Sequence, residues 1–104
     1  MMSLRESFVN LLESFDYSDS VEERIRLLRS AIGRLSNIFY GTPKEDIYAD
    51  QVRRIKLRLN ELRGKLGEFD ENTEFQYWKE LMDTLEELRD GVERIAVKEG
   101  IIEK

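Results

Sequence analysis

QVRRIKLRLNELRGK, residues 51–65, is the stretch that decides the fold, because it carries two patterns at once. Six basic side chains and one acid give it a charge of +5, in a chain whose net charge is −5. Its apolar residues Val52, Ile55, Leu59 and Leu62 recur at alternating spacings of three and four. Because this spacing places them on one side of an α-helix, the stretch is predicted to be amphipathic. It is either a helix that binds nucleic acid or one charged wall of a helical bundle.

The same spacing of apolar residues runs through the rest of the chain, and no alternating strand pattern competes with it. Such a seam is typical of helices that pack side by side as in a coiled coil. Short connections between the segments favour antiparallel neighbours. The sequence therefore predicts one all-α domain, an antiparallel up-down bundle with coiled-coil-like packing and a short first helix. The predicted helices are residues 3–16, 20–40, 43–66 and 73–99.

Helix-starting residues support these boundaries. Each segment begins with a Ser or Thr that is followed three residues later by Glu or Gln, the pattern of a capping box. Pro43 fits the first position of the third helix, and Gly41 fits a left-handed cap that ends the second. The four predicted caps are Ser3, Ser20, Thr42 and Thr73.

Length and composition favour a single cytoplasmic domain. The 104 residues allow one hydrophobic core. Charged residues make up 38% of the chain, which is typical of heat-stable proteins and of charge-rich coiled coils. Because there is no Cys, no disulfide is possible. The N-terminal stretch has acids within its apolar region, unlike a signal peptide or a membrane span.

The absence of His and Cys excludes several kinds of site, including Ser-His-Asp and Cys-His catalysis and ordinary zinc sites. Acidic pairs remain. Glu80 with Asp83, and Glu87 with Asp90, superficially resemble the pairs with which all-helical nucleotide pyrophosphatases hold Mg²⁺. The helical pattern points these acids outward, whereas metal ligands must converge. We predict no enzyme activity and no cofactor, and keep a magnesium-dependent pyrophosphatase as the most distant alternative.

The short first helix predicts an interface. At about 1.5 Å per residue it is about 21 Å long, against about 31–40 Å for the others, so it covers only one half of the bundle. A monomer would expose the apolar seam of the other half unless Ile101 and Ile102 fold back over it, and exposed patches of this kind mark interfaces. We therefore predict a non-catalytic, adaptor-like protein that forms a twofold homodimer or binds a helical protein partner. The predicted interface residues are Leu35, Ile38, Phe39, Tyr48, Val52, Val92, Ile95 and Ile102.

Nucleic-acid binding is the alternative function. The four segments carry net charges of −2, +2, +3 and −4 in chain order, so basic helices could be neutralised within the bundle. Four bases of residues 51–65 are expected to flank the apolar seam, whereas Arg53 and Arg54 project away from it. The candidate contacts to phosphate are Arg53, Arg54 and Arg58. The acidic pI of about 4.9 and the lack of interleaved aromatic residues count against this alternative.

Overall fold

The computed structural model describes residues 1–103, and its regular structure over that range is entirely α-helical. Helix α1 spans Leu4–Tyr17, α2 spans Val21–Phe39, α3 spans Pro43–Leu66 and α4 spans Phe75–Lys98. The predicted all-α bundle of four helices is confirmed, with each boundary within two residues of its predicted position. The coiled-coil character of the packing stays a prediction.

Three of the predicted helix caps are confirmed. The hydroxyl oxygens of Ser3 and Ser20 accept hydrogen bonds of 3.1 Å from the amides three residues later. Thr42 accepts from the Lys44 amide at 3.2 Å. Gly41 has a φ of 77°, a left-handed conformation that other residues rarely adopt, and its amide donates to the Glu45 carboxylate at 2.7 Å. The turn between α2 and α3 is therefore specified by local chemistry.

The predicted cap at Thr73 is wrong. Thr73 belongs to the preceding turn, because its hydroxyl oxygen accepts a hydrogen bond of 2.9 Å from the amide of Asp70. The Asp70 carboxylate in turn accepts from the amide of Asn72 at 2.8 Å. Helix α4 consequently begins at Phe75, with Glu74 in the cap position and no side-chain capping bond.

Contacts between helix ends are those of antiparallel neighbours. Arg34, late in α2, donates to the hydroxyl of Ser7, early in α1, at 3.1 Å. Tyr48, early in α3, donates to Glu99, just beyond α4, at 2.6 Å. Helix α2 packs against each of the other three helices, while α3 and α4 contact each other less extensively. The core of the bundle is thus organised around α2.

Two ion pairs join α4 to residues on either side of the turn between α1 and α2. Arg24, the one buried charged residue of the described chain, donates to the Ser18 carbonyl at 2.6 Å and to the Glu86 carboxylate at 2.8 Å. Arg89 donates to both carboxylate oxygens of Asp16, at 3.0 and 2.7 Å. The pair of Arg24 with Glu86 thus joins the basic α2 to the acidic α4, in line with the predicted neutralisation within the bundle. The bases of α3 are mostly left out of these pairs.

The opposite end of the bundle is closed by the residues that follow α4. Gly100 has a φ of 72°, which turns the chain back so that the amides of Ile101 and Ile102 donate to the Ala96 carbonyl at 2.8 and 3.3 Å. Both isoleucines pack against the core. Of the two alternatives for this end, the structure has the one in which Ile101 and Ile102 fold back against the core.

Glu99 links this closed end to α3 through an ion pair and a hydrogen bond. Its carboxylate lies 2.7 Å from the Lys44 ammonium and accepts a hydrogen bond of 2.6 Å from the Tyr48 hydroxyl. The hydrogen bond from Lys44, and then that from Tyr48, lowers the pKa of Glu99. The same bond to Glu99, together with burial, raises the pKa of Tyr48.

Replacing Leu28 by Ala should lower the free energy of unfolding by about 2–5 kcal/mol, because Leu28 is fully buried in the central helix. Leu57→Ala is the matched control, since Leu57 is also helical but 54% exposed, and its expected effect is within about 0.5 kcal/mol. Urea denaturation followed by circular dichroism measures both values. Equal destabilisation by the two substitutions would contradict the position of α2.

The Glu99 contacts should make stability depend on pH. Since the pKa of Glu99 is lowered by folding, its contribution is fully present above the ordinary carboxyl pKa of the unfolded chain and is lost as the pH falls through the lower folded-state pKa. Glu99→Gln should therefore be less stable than the parent chain at pH 7, and the difference should shrink in acid. Chemical denaturation at a series of pH values measures this difference. A constant difference from pH 7 to pH 3 would contradict the role of the carboxylate.

Candidate functional site

The eight residues predicted to bind a partner lie at the closed end of the bundle. Five of them are buried within the single chain, and Ile38, Val52 and Ile102 are half-buried against the core. Phe39 and Tyr48 stack on each other, with ring centroids 5.2 Å apart. The buried five are Leu35, Phe39, Tyr48, Val92 and Ile95. These side chains stabilise the bundle itself and are not available as an exposed patch.

The three bases predicted to bind nucleic acid are not brought to one site. Arg53 forms an ion pair of 3.2 Å with Asp50, and Arg58 forms one of 2.8 Å with Glu61, each on α3 itself. Arg54 lies on the flank of α3 that faces α4, in a different pocket from Arg58. The outer surface of α3 is therefore a mixture of both charges.

The acidic pairs of α4 form no cluster with a third ligand. Within residues 1–103, no group of three or more His, Cys, Asp or Glu side chains is placed to hold a metal ion. Asp83 lies 3.4 Å from the Lys79 ammonium on the same helix. Glu80, Glu87 and Asp90 are exposed. No helix in the same range is long and apolar enough to cross a membrane.

The most strongly charged site is a groove between α2 and α3, with a volume of about 970 Å³. Ile25, Ile32 and Leu66 form its apolar part, and Ser30 and Asn60 add polar groups. Glu22 is its one acidic residue among those described. Five bases line it: Arg26, Arg29 and Arg34 from α2, and Lys56 and Arg63 from α3. We refer to these residues as the basic groove.

The bases of the basic groove are incompletely neutralised. Arg26 pairs with Glu23 on its own helix, and Arg34 is held by its hydrogen bond to the Ser7 hydroxyl. Arg29, Lys56 and Arg63 form no ion pair with any residue in the described range 1–103. All three are exposed to solvent. Three cations from two adjacent helices are therefore available to an anion from outside.

The distribution of charge makes this groove unusual. Five bases and one acid give it +4, which leaves −9 on the remainder of a chain of net charge −5. Like charges on neighbouring elements repel one another, so placing basic flanks of α2 and α3 side by side disfavours their packing. A bound anion would remove this repulsion. At about 0.1 M salt the screening length is about 10 Å, so an anion in the groove is affected mainly by the nearby bases.

The sequence carries a signal for the basic groove in the charges of two consecutive segments. Segments two and three were both known to be basic, and a short connection makes them antiparallel neighbours. Flanking side chains of adjacent antiparallel helices must meet along their common groove. The predicted contacts to phosphate all lie on α3. Arg26, Arg29 and Arg34 were therefore missed, and Lys56 and Arg63 were assigned to a bundle wall.

Comparison with known proteins gives one full-length relative. The chain is 64% identical to an uncharacterized protein of Archaeoglobus fulgidus over 104 residues, which cover the whole of both chains. No protein-family model matches the sequence, and no solved structure matches it.

Proposed function

We propose that this chain, which belongs to one family with the full-length Archaeoglobus fulgidus protein, is a non-catalytic binding protein that holds a nucleic-acid backbone in the basic groove. The observation that supports this proposal is the convergence of Arg29, Lys56 and Arg63, from two helices, without acidic partners in the described chain. Phosphodiester groups are the anions that such a row of bases suits best.

The dimensions of the groove fit a short length of backbone. From Glu22 to Arg34 along α2, the rise of about 1.5 Å per residue gives a groove about 18 Å long. One strand of nucleic acid advances about 3.4 Å per nucleotide along the axis of a duplex, so about five nucleotides would span that length. Arginine side chains can contact a phosphate through two parallel hydrogen bonds, and Lys56 supplies a compact positive charge.

Recognition in this proposal does not depend on sequence. No aromatic side chain lines the basic groove, so bases have no ring on which to stack. The exposed cations contact phosphate, which is the same in every nucleotide. The acidic remainder of the chain limits affinity and favours release, which suits a protein that binds transiently.

A homodimeric adaptor has less support than nucleic-acid binding. The residues predicted for its interface are mostly buried within one chain, and the tail covers the seam. Dimerisation stays a prediction that does not depend on the basic groove.

Replacing Arg29 and Lys56 together by Gln should weaken nucleic-acid binding at least about tenfold at 50 mM salt, because each substitution removes a charge-assisted contact. The slope of log affinity against log salt should also decrease by about one for each base removed. Fluorescence anisotropy with labelled 12-nucleotide single strands and 12-base-pair duplexes measures both quantities. Oligonucleotides of several sequences should bind with similar affinity.

The matched control is the double variant Arg53→Gln and Arg58→Gln, which changes the net charge equally but at residues of α3 outside the basic groove. It should reduce affinity by less than about threefold, since both arginines already have acidic partners on their own helix. Equal losses in the two double variants would show that only net charge matters. No binding of either oligonucleotide at 50 mM salt would rule out the proposed function.

A further inference from the structure

A second cationic site lies on the opposite flank of α3, between the first half of α3 and the second half of α4. It is a pocket of about 330 Å³, at the small end of the range of ligand sites. Arg54 from α3 and Arg94 and Lys98 from α4 supply three positive charges, and Gln51 adds an amide. None of the described residues that line it is acidic. We refer to it as the α3–α4 pocket.

The three bases of this pocket form no ion pair within residues 1–103. Glu99 is adjacent to Lys98 in sequence, but its carboxylate is occupied by Lys44 and the Tyr48 hydroxyl. Lys98 acts on that carboxylate only through its charge. Arg94 and Lys98 stand four residues apart on α4, where like charges disfavour the helix. Although the chain has 22 acidic residues, the three bases of this pocket are left without an acidic partner among the described residues.

Gly91 keeps the pocket open on the side of α4. A β-carbon at this position would lie 3.8 Å from a terminal nitrogen of the Arg94 guanidinium, so Arg94 extends over the glycine. A larger side chain at this position would enter the space that the three cations border. Glycine in the interior of a helix lowers the stability of the helix by about 1 kcal/mol relative to alanine. Replacing Gly91 by a residue with a side chain therefore need not destabilise the fold.

We propose that the α3–α4 pocket binds a small anion that carries phosphate, with Arg54, Arg94 and Lys98 as its ligands. Two guanidinium groups and one ammonium group on the lining of one pocket offer several donors for phosphate oxygens. The pocket is separate from the basic groove, because the two sites lie on opposite flanks of α3 and share no lining residue. The site therefore stands whether or not the groove binds nucleic acid.

Calorimetric titration with pyrophosphate at low ionic strength tests this site in the absence of nucleic acid. The parent chain should bind pyrophosphate, and Arg94→Gln should bind it about tenfold more weakly, since one charge-assisted contact is lost. Gly91→Leu should also weaken binding at least about tenfold, although it changes no charge, because the leucine fills the pocket. Arg53→Gln, with the same charge change as Arg94→Gln, should bind as the parent does.

The Arg29→Gln and Lys56→Gln double variant separates this pocket from the basic groove. It should still bind pyrophosphate, and adding Arg94→Gln to it should weaken that binding about tenfold, while its affinity for nucleic acid is already at least about tenfold below that of the parent. Loss of pyrophosphate binding in that double variant, or full binding by Gly91→Leu, would overturn the proposal. Circular dichroism establishes that each variant is folded. Should Gly91→Leu fail to fold, Lys98→Gln replaces it, and undiminished affinity in that variant would overturn the proposal equally.

Discussion

The burial of α2 against all three other helices is the constraint on which the rest of the structure depends. Its buried face is broad, because Leu27 and Ala31 extend the seam formed by Leu28, Ile32 and Leu35. A helix enclosed in this way has only a narrow surface left for polar side chains. Three of the four arginines of α2 consequently line the basic groove beside α3, whereas Arg24 faces α4. The same packing that stabilises the bundle thus places basic side chains from two helices along one line.

Positive and negative side chains are paired in some parts of this protein and left unpaired in others. Arg24 and Arg89 form the ion pairs between α4 and the residues on either side of the α1–α2 turn. At the other end of the bundle, Glu99 pairs with Lys44. Both sets of ion pairs lie where helices must be held together. Most bases of α3 and three of the four arginines of α2 take no part in these pairs, so basic side chains remain on the two flanks of α3. An acidic protein can therefore present basic sites, and its net charge is a poor guide to its ligand.

The helices could be predicted from the sequence because each depends on short-range patterns. The apolar spacing of Val52, Ile55 and Leu59 and the caps at Ser3 and Ser20 act over three or four residues. The wrong prediction of a helix cap at Thr73 also concerns a short-range pattern. Its hydroxyl could accept a hydrogen bond either from the start of α4 or from the preceding turn, and it accepts one from the amide of Asp70 in the turn. The sites were harder to predict, because the basic groove depends on how α2 and α3 are rotated about their axes. The closed end depends on a tail whose conformation is set by Gly100.

Binding of a nucleic-acid backbone between α2 and α3 is what we propose above all. Nuclear magnetic resonance of the ¹⁵N-labelled chain, titrated with an unlabelled 12-nucleotide thymidine strand, tests it most directly. We predict that the amides of Arg29, Ser30, Gly33, Asn60 and Gly67 shift together as the strand is added. Shifts centred instead on Asp50, Arg53 and Glu61, or no shifts at saturating strand concentration, would contradict it.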